Sequence, residues 1–171
     1  LVISGNRLFN LSFLDGLSSL RSLQLLNLHE FDKLVHVPKF EGLTIFKADG
    51  VRNPEIVSIM LSNSPKMRYL YITNGQLITV NALNHSVLVR LDLSSNRMRS
   101  IGKPVSLPSL ERLILRDNRL TSLPTLSGLV YLRVIDVARN EIVELKEDDL
   151  LNLPQLYKVV LDYNKIIRIE G

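Results

Sequence analysis

The sequence predicts an α/β solenoid of about eight repeats, with a parallel sheet on its concave side and an irregular or short-helical convex side. The main observation is the pattern L-x-x-L-x-L-x-x-N-x-L, which begins at Leu88, Leu110, Leu132 and Leu156. The second apolar positions of these four segments are spaced by 22, 22 and 24 residues. A nearly constant period of this size is typical of a chain that stacks one supersecondary unit on the next.

Within each repeat, the x-L-x-L-x portion predicts a short strand, because side chains alternate between the two faces of a strand. The apolar side chains then point into the solenoid and the intervening ones point out of it. The asparagine after the strand has both a donor and an acceptor, so it can satisfy backbone groups that the strand no longer pairs. We therefore expect a ladder of inward asparagines at Asn96, Asn118, Asn140 and Asn164.

The N-terminal half follows the same pattern less closely. The matching segments are 1–8, 23–31, 43–51 and 67–77, with second apolar positions at Leu1, Leu26, Phe46 and Leu70. In the second of these repeats the assignment turns Leu25 and Asn27 outward. Phe31, Val51 and Gly75 stand in the asparagine slot. We expect the ladder to be interrupted at Phe31 and Val51, whose side chains would fill the core instead.

Two stretches between the strands predict short helices on the convex side. The first is 54–62, where Pro54 suits the first turn of a helix. The second is 146–152, whose acidic residues lie near its start, where the helix dipole favours negative charge.

Composition predicts one ordinary globular domain over residues 1–171. The chain is 46% hydrophobic and 22% charged, and no apolar run approaches the length of a membrane span. Both ends fall inside repeats, so we expect a fragment that lacks both caps. Uncapped end layers at Leu1 and Ile169 would expose apolar surface, which predicts self-association through the ends.

The repeats resemble those of the leucine-rich repeat superfamily, in its typical class. The segments D-L-S-S-N-R (92–97), L-R-D-N-R-L (115–120) and L-D-Y-N-K-I (161–166) are similar to extracellular members, such as Toll-type receptors and leucine-rich immune proteins of arthropods. The resemblance implies a leucine-rich repeat horseshoe that recognises a protein or pathogen ligand, or a co-receptor, on its concave face or edges. The irregular repeats over 23–51 resemble intracellular plant-type sensors, so an intracellular scaffold or sensor that binds a cytosolic protein is the alternative.

The sequence does not decide whether the protein lies inside or outside the cell. The chain has no cysteine, and the cysteine-rich caps of secreted repeat proteins would lie beyond its ends. Two sequons for N-glycosylation begin at Asn10 and Asn84. Their use would place the protein at the cell surface or outside the cell, whereas a cytoplasmic protein would leave both unmodified.

No motif predicts catalysis, a metal or a cofactor. The three histidines, His29, His36 and His85, have no second ligand at a metal-binding spacing, and we expect them to be solvated. No glycine-rich phosphate loop and no recognisable set of nucleophile, base and oxyanion donor is present. We therefore interpret the protein as non-enzymatic.

The positive charge of the chain does not predict a nucleic-acid partner. The formal net charge is +4, yet residues 81–171 interleave 13 basic with 11 acidic residues rather than collecting them in runs. Mixed signs favour a surface that contacts proteins.

A partner-binding site is predicted on the outward positions of three adjacent strands. Its members, including one residue just past its strand, are Tyr69, Tyr71, Arg90, Asp92, Arg112, Ile114 and Arg116. Tyrosine and arginine are enriched where proteins hold one another. The alternative is that these charges only pair among themselves, Arg90 with Asp92 or Arg112 with Asp136.

Overall fold

The computed structural model describes residues 1–6, 8, 10–27, 36–81, 83–102 and 105–170. These residues form short strands, which recur along the chain, and one α-helix. The strands are β1 (Val2–Ser4), β2 (Ser22–Leu26), β3 (Ile45–Asp49), β4 (Tyr69–Thr73), β5 (Leu83–Asn84), β6 (Arg90–Asp92), β7 (Val105–Ser106), β8 (Arg112–Ile114), β9 (Val134–Asp136), β10 (Glu144–Leu145), β11 (Lys158–Val160) and β12 (Arg168–Ile169), and the helix is α1 (Glu55–Asn63).

Eight of these strands form one parallel sheet, which confirms the predicted solenoid. Its order is β1-β2-β3-β4-β6-β8-β9-β11, so each repeat adds one strand beside the strand of the repeat before it. Strands β5 with β7 and β10 with β12 form two further parallel pairs. In the main sheet Leu91 lies beside Leu113, and Leu113 lies beside Ile135, as the repeat pattern predicts.

The inward side chains of the sheet form the core. Leu91, Leu113 and Ile135 are 0%, 3% and 0% exposed, and they belong to one apolar cluster that extends from Leu11 to Leu153. Each repeat contributes only a thin layer to this cluster. Burial therefore stabilises a repeat mainly through its two neighbours, as expected for a solenoid.

The predicted asparagine ladder is confirmed. Asn118 is 8% exposed, and its Nδ2 donates to the carbonyl oxygens of Leu93 and Leu115, each at 3.0 Å. Its Oδ1 accepts the backbone N–H of Met98 at 2.9 Å. Each rung therefore joins a strand end to the strand end of the preceding repeat. The same three kinds of bond are made by Asn96, Asn140 and Asn164.

The interruption of the ladder is also confirmed at Val51, which is 0% exposed, whereas Phe31 lies outside the described residues. At Gly75, in the same slot of the next repeat, there is a steric reason for the absence of an asparagine. A Cβ atom built there would overlap the carbonyl oxygen of Val51, which accepts the backbone N–H of Gln76 at 2.9 Å. The side chain of an asparagine would therefore require the backbone to move.

The predicted register of the second repeat was wrong. Leu23, rather than Leu26, lies beside Phe46, and Leu25 lies beside Ala48. Leu25 is 0% exposed and so points inward, not outward. The leucines of this tract offer two alternating patterns displaced by three residues, and an odd displacement exchanges the faces of a strand. The observed choice turns the polar Gln24 outward.

One residue of every repeat adopts a left-handed backbone conformation just after the main strand. These residues are Gly5, Asn27, Gly50, Asn74, Ser95, Asp117, Arg139 and Tyr163, with φ between 50° and 72°. In this conformation the backbone N–H can bond to the next repeat. The N–H of Arg139, for example, donates to the carbonyl oxygen of Asp162 at 2.8 Å. Glycine and asparagine suit this conformation, whereas arginine and tyrosine adopt it at a cost of about 1 kcal/mol or more each.

The two predicted helices differ in outcome. Helix α1 occupies Glu55–Asn63, with Pro54 directly before it, which confirms the first prediction with a shift of one residue. The second prediction was wrong in type, because Glu147–Leu150 forms only a short 3-10 turn. Its start is held by the Asp149 carboxylate, which accepts the backbone N–H of Lys146 at 2.8 Å. Within the described ranges, no helix has both the length and the apolar character needed to cross a bilayer.

Candidate functional site

The parallel register brings the predicted site residues together on the outward face of β4, β6 and β8. Along one row of this face, Tyr69 lies beside Arg90, and Arg90 lies beside Arg112. Along the next row lie Tyr71, Asp92 and Ile114. Neighbouring strands are about 4.8 Å apart, so these six side chains form one continuous surface. We call this surface, with Lys47 and Arg116 at its borders, the concave cluster.

Tyr71 has two cation–π contacts, more than the other aromatic side chain of the concave cluster, Tyr69. Its ring centroid lies 5.0 Å from Nζ of Lys47 and 5.1 Å from Cζ of Arg90, one cation on each side. Each contact of this kind stabilises the arrangement by about 0.5–1 kcal/mol at an exposed site. The sequence interpretation did not include Lys47, although its outward position on the strand next to Tyr71 could have identified it.

Arg90 is oriented by Asp92, two residues along the same strand. The two side chains are joined by a 2.9 Å ion pair between Nη2 and Oδ2. The other carboxylate oxygen of Asp92 accepts the hydroxyl and the backbone N–H of Ser94, at 2.6 and 3.2 Å. Asp92 is only 7% exposed. This part of the pairing alternative is therefore confirmed, and Asp92 presents little free charge to a partner.

Arg112 differs from Arg90, since no side-chain hydrogen bond or ion pair joins it to any residue in the described ranges, Asp136 included. It is exposed, and Ile114 on the same strand is half-buried. Arg116, just past the strand, has its Nε 3.5 Å from Oδ2 of the neighbouring Asp117. The side of the concave cluster around Arg112 thus combines a free guanidinium with apolar surface.

Both predicted glycosylation sites are exposed in the structure. Asn84 lies on β5, outside the main sheet. Asn10 precedes a 3-10 turn at Ser12–Leu14, and its Oδ1 accepts the Ser12 hydroxyl at 2.7 Å and the Ser12 backbone N–H at 3.1 Å. The Nδ2 atom of Asn10, to which a glycan would be attached, donates to no other described residue.

The histidines do not form a metal site within the described part of the chain, where no group of three potential ligands is found. His36 is exposed and lies 3.1 Å from Oδ1 of Asp15. The expectation that His85 is solvated was wrong: it is 6% exposed, and its Nε2 lies 3.0 Å from the carbonyl oxygen of Ser64. His85 therefore packs the convex wall. His29 lies outside the described residues.

Two sequence profiles of leucine-rich repeats match the C-terminal half of the chain. The profile described as "Leucine rich repeat" covers residues 108–166, and the one described as "Leucine Rich repeats (2 copies)" covers residues 87–128. These residues carry the asparagine ladder. Leucine-rich repeat solenoids are recognition modules for proteins and typically have no enzymatic activity.

The chain is similar to segments of two kinds of receptor. It is 27% identical to Toll-like receptor 2 of Pan troglodytes over 116 residues, 64% of this chain and 14% of that protein. It is 34% identical to the leucine-rich repeat-containing G-protein coupled receptor 5 of Rattus norvegicus over 110 residues, 62% of this chain and 12% of that protein. The chain thus spans only about an eighth of the length of these relatives.

Among solved structures, the functional domain of InlJ from Listeria monocytogenes aligns with 97% of this chain and 49% of its own. The TM-score is 0.34 and the sequence identity is 16%.

Proposed function

We propose that this chain, a member of the leucine-rich repeat superfamily, holds a protein partner on its concave cluster. The observation that carries the proposal is the Tyr71 ring between Lys47 and Arg90, on the same face as Arg112, whose side chain has no partner among the described residues. A side chain that is already ordered loses little conformational entropy on binding, so its contact area contributes more to affinity.

The members of the concave cluster have different roles in this proposal. Tyr71 and Tyr69 supply aromatic contact area, and Arg112 supplies a free fork of donors that can bind a carboxylate or carbonyl group of the partner. Asp92 and Ser94 orient Arg90, which in turn supports the Tyr71 ring. Ile114 and Arg116 lie at the border, where they would help to exclude water from the contact.

Replacing Tyr71 and Arg112 together by alanine is expected to weaken partner binding by about 1–2 kcal/mol for each residue. Both side chains point away from the core, so the fold should persist. The measurement is the dissociation constant by isothermal titration calorimetry, with the partner recovered by the full-length protein. Circular dichroism of the same variant checks the fold.

A matched control exists in Tyr157 and Arg168, which are exposed at positions away from the concave cluster. The Tyr157→Ala/Arg168→Ala variant should bind as the unsubstituted protein does. If both double variants bound the partner with the same affinity, the proposal would be contradicted, and the contact would lie on another surface of the solenoid.

We further propose that recognition takes place outside the cell or at its surface, in innate immunity or in cell-surface recognition. The receptor names of the relatives and the exposure of both sequon asparagines support this location. The second candidate is an intracellular leucine-rich repeat scaffold or sensor that binds a cytosolic protein, favoured by the irregular repeats over 23–51.

If the extracellular location is correct, protein isolated from its own source should carry N-glycans at Asn10 and Asn84. Enzymatic release of the glycans converts each modified asparagine to aspartate, which mass spectrometry detects. Asn152, exposed and outside any sequon, serves as the internal control. Finding both asparagines unmodified in mature protein would favour the intracellular candidate.

A further inference from the structure

Three arginines of two adjacent repeats emerge together on the edge of the solenoid where the main strands have ended. Arg97 and Arg119 directly follow the buried Asn96 and Asn118, and Arg99 lies two residues after Arg97. Their backbones are fixed. The N–H groups of Arg97 and Arg119 donate to the carbonyl oxygens of Leu77 and Met98, each at 2.9 Å. We call Arg97, Arg99 and Arg119 the arginine edge.

No ion pair neutralises the arginine edge within the part of the chain that the structure describes. All three side chains are exposed, and none makes a hydrogen bond or ion pair there. Most other arginines of these repeats have an acidic neighbour within 4 Å. The paired arginines are Arg90, Arg116, Arg133, Arg139 and Arg168. Like charges gathered in this way repel one another and raise the local positive potential.

An acidic side chain on the same edge, that of Glu141, is already paired with a lysine. Glu141 follows Asn140 as Arg119 follows Asn118, and its Oε2 lies 2.9 Å from Nζ of Lys165. Lys165 lowers the pKa of the Glu141 carboxyl below its ordinary value, and the charges of Arg119 and Arg99 lower it further. Glu141 therefore stays ionised beside Lys165 and leaves the arginine edge with an excess of positive charge.

Apolar side chains accompany the arginines on this edge. Ile78 is 59% exposed, and its carbonyl oxygen accepts the backbone N–H of Arg99, so the two residues are neighbours. Val143, farther along, is 40% exposed. No aromatic side chain occurs among residues 76–78, 97–99, 119–121, 141–143 and 165–167, so stacked bases would find no platform. The combination favours a ligand with carboxylates and apolar groups together.

We propose that the arginine edge docks an acidic segment of a protein partner. The carboxylates of that segment bind the guanidinium forks of Arg97, Arg99 and Arg119, and an apolar side chain of the segment packs on Ile78. Paired hydrogen bonds from guanidinium to carboxylate give such a contact both strength and direction. This surface is separate from the concave cluster, so the two contacts can be tested independently.

The test uses the full chain and a fluorescent 12-residue peptide of repeated Glu-Glu-Leu. The dissociation constant is measured by anisotropy at 50 and 150 mM NaCl. The R97Q/R99Q/R119Q variant should bind about tenfold more weakly than the unsubstituted chain, with the larger difference at low salt. The control K39Q/K66Q/R168Q, which removes the same charge from exposed positions elsewhere, should change affinity less than about twofold.

Further arms separate the alternatives. The Ile78→Ser variant should weaken binding of the Glu-Glu-Leu peptide and leave an all-Glu peptide unaffected. The Tyr71→Ala/Arg112→Ala variant should bind the peptide normally; loss in that variant alone would place the acidic segment on the concave cluster and overturn the proposal. Equal weakening in the K39Q/K66Q/R168Q control would show that the effect comes from net charge alone and would overturn the proposal. Tight binding of a heparin oligosaccharide that the peptide cannot displace would identify a sulfated glycan instead.

Discussion

Replacing Leu113 by aspartate is expected to unfold β8 and the repeats beside it. Leu113 is 3% exposed and lies between Leu91 and Ile135 in the middle of the sheet. A carboxylate there has no partner among these apolar side chains, and its burial costs on the order of 4 kcal/mol or more. Because each repeat is stabilised by its neighbours, the loss should spread along the solenoid.

The free energy of unfolding in urea measures this effect. The matched control is Arg112→Asp, which introduces the same charge one residue earlier on the outward face. Its stability should remain within about 1 kcal/mol of the unsubstituted chain, since a surface substitution disturbs no buried contact. Equal stability of the two variants would contradict the assigned faces of the strand.

Replacing Asn118 by alanine is expected to cost about 1–3 kcal/mol of stability. The substitution removes the acceptor of the backbone N–H of Met98. The carbonyl oxygens of Leu93 and Leu115 each lose one bond and keep those from Asn96 and Asn140. These groups lie at a buried position, so water cannot readily replace the lost amide. Thermal and urea denaturation would both report the loss.

Two comparisons identify the cause of that loss. Asn118→Leu fills most of the vacated volume but restores none of the hydrogen bonds, so it should remain destabilised. Asn84→Ala removes an exposed asparagine and should change stability by less than about 0.5 kcal/mol. Recovery of full stability in Asn118→Leu would mean that packing, rather than hydrogen bonding, holds the ladder together.

The sequence predicted the fold wherever the repeat pattern was strict. From Leu91 to Val159 one apolar alternation fits each strand, and the asparagine slot fixes where the strand ends. At Leu23 the pattern fails because several adjacent leucines permit two registers, and only the neighbouring strand, with Phe46 and Ala48, selects between them. Register is thus a property of the stack and not of the single repeat.

The residues with a left-handed backbone conformation after each main strand show a second limit of what local sequence can predict. Gly5, Gly50, Asn27 and Asn74 are residue types that favour this conformation, whereas Arg139 and Tyr163 are not. At those two positions the backbone follows the conformation of the preceding repeats. Their side chains also interact across the repeats, with Cζ of Arg139 4.8 Å from the Tyr163 ring centroid and its Nε 3.7 Å from Oδ1 of Asp117.

The position of a charged residue within its repeat determines which surface of the solenoid it lies on. Along the chain, basic and acidic residues are interspersed, which favoured an evenly mixed surface. In the structure, Arg90 pairs with Asp92 on the concave face, whereas Arg97, Arg99 and Arg119 lie on one edge, where Glu141 pairs with Lys165. Only the stacking of repeats places residues about 22 positions apart side by side, so composition alone could not reveal the arginine edge.

Site-specific photo-crosslinking between the full-length protein and its purified partner tests directly whether the concave cluster binds that partner. A photoreactive phenylalanine is placed at Ile45, an outward residue of β3 beside Tyr69, and separately at Ser127, which is exposed outside the main sheet. If the concave cluster binds the partner, the partner crosslinks from position 45 and not from position 127. Crosslinking from position 127 with none from position 45 would contradict recognition by the concave cluster.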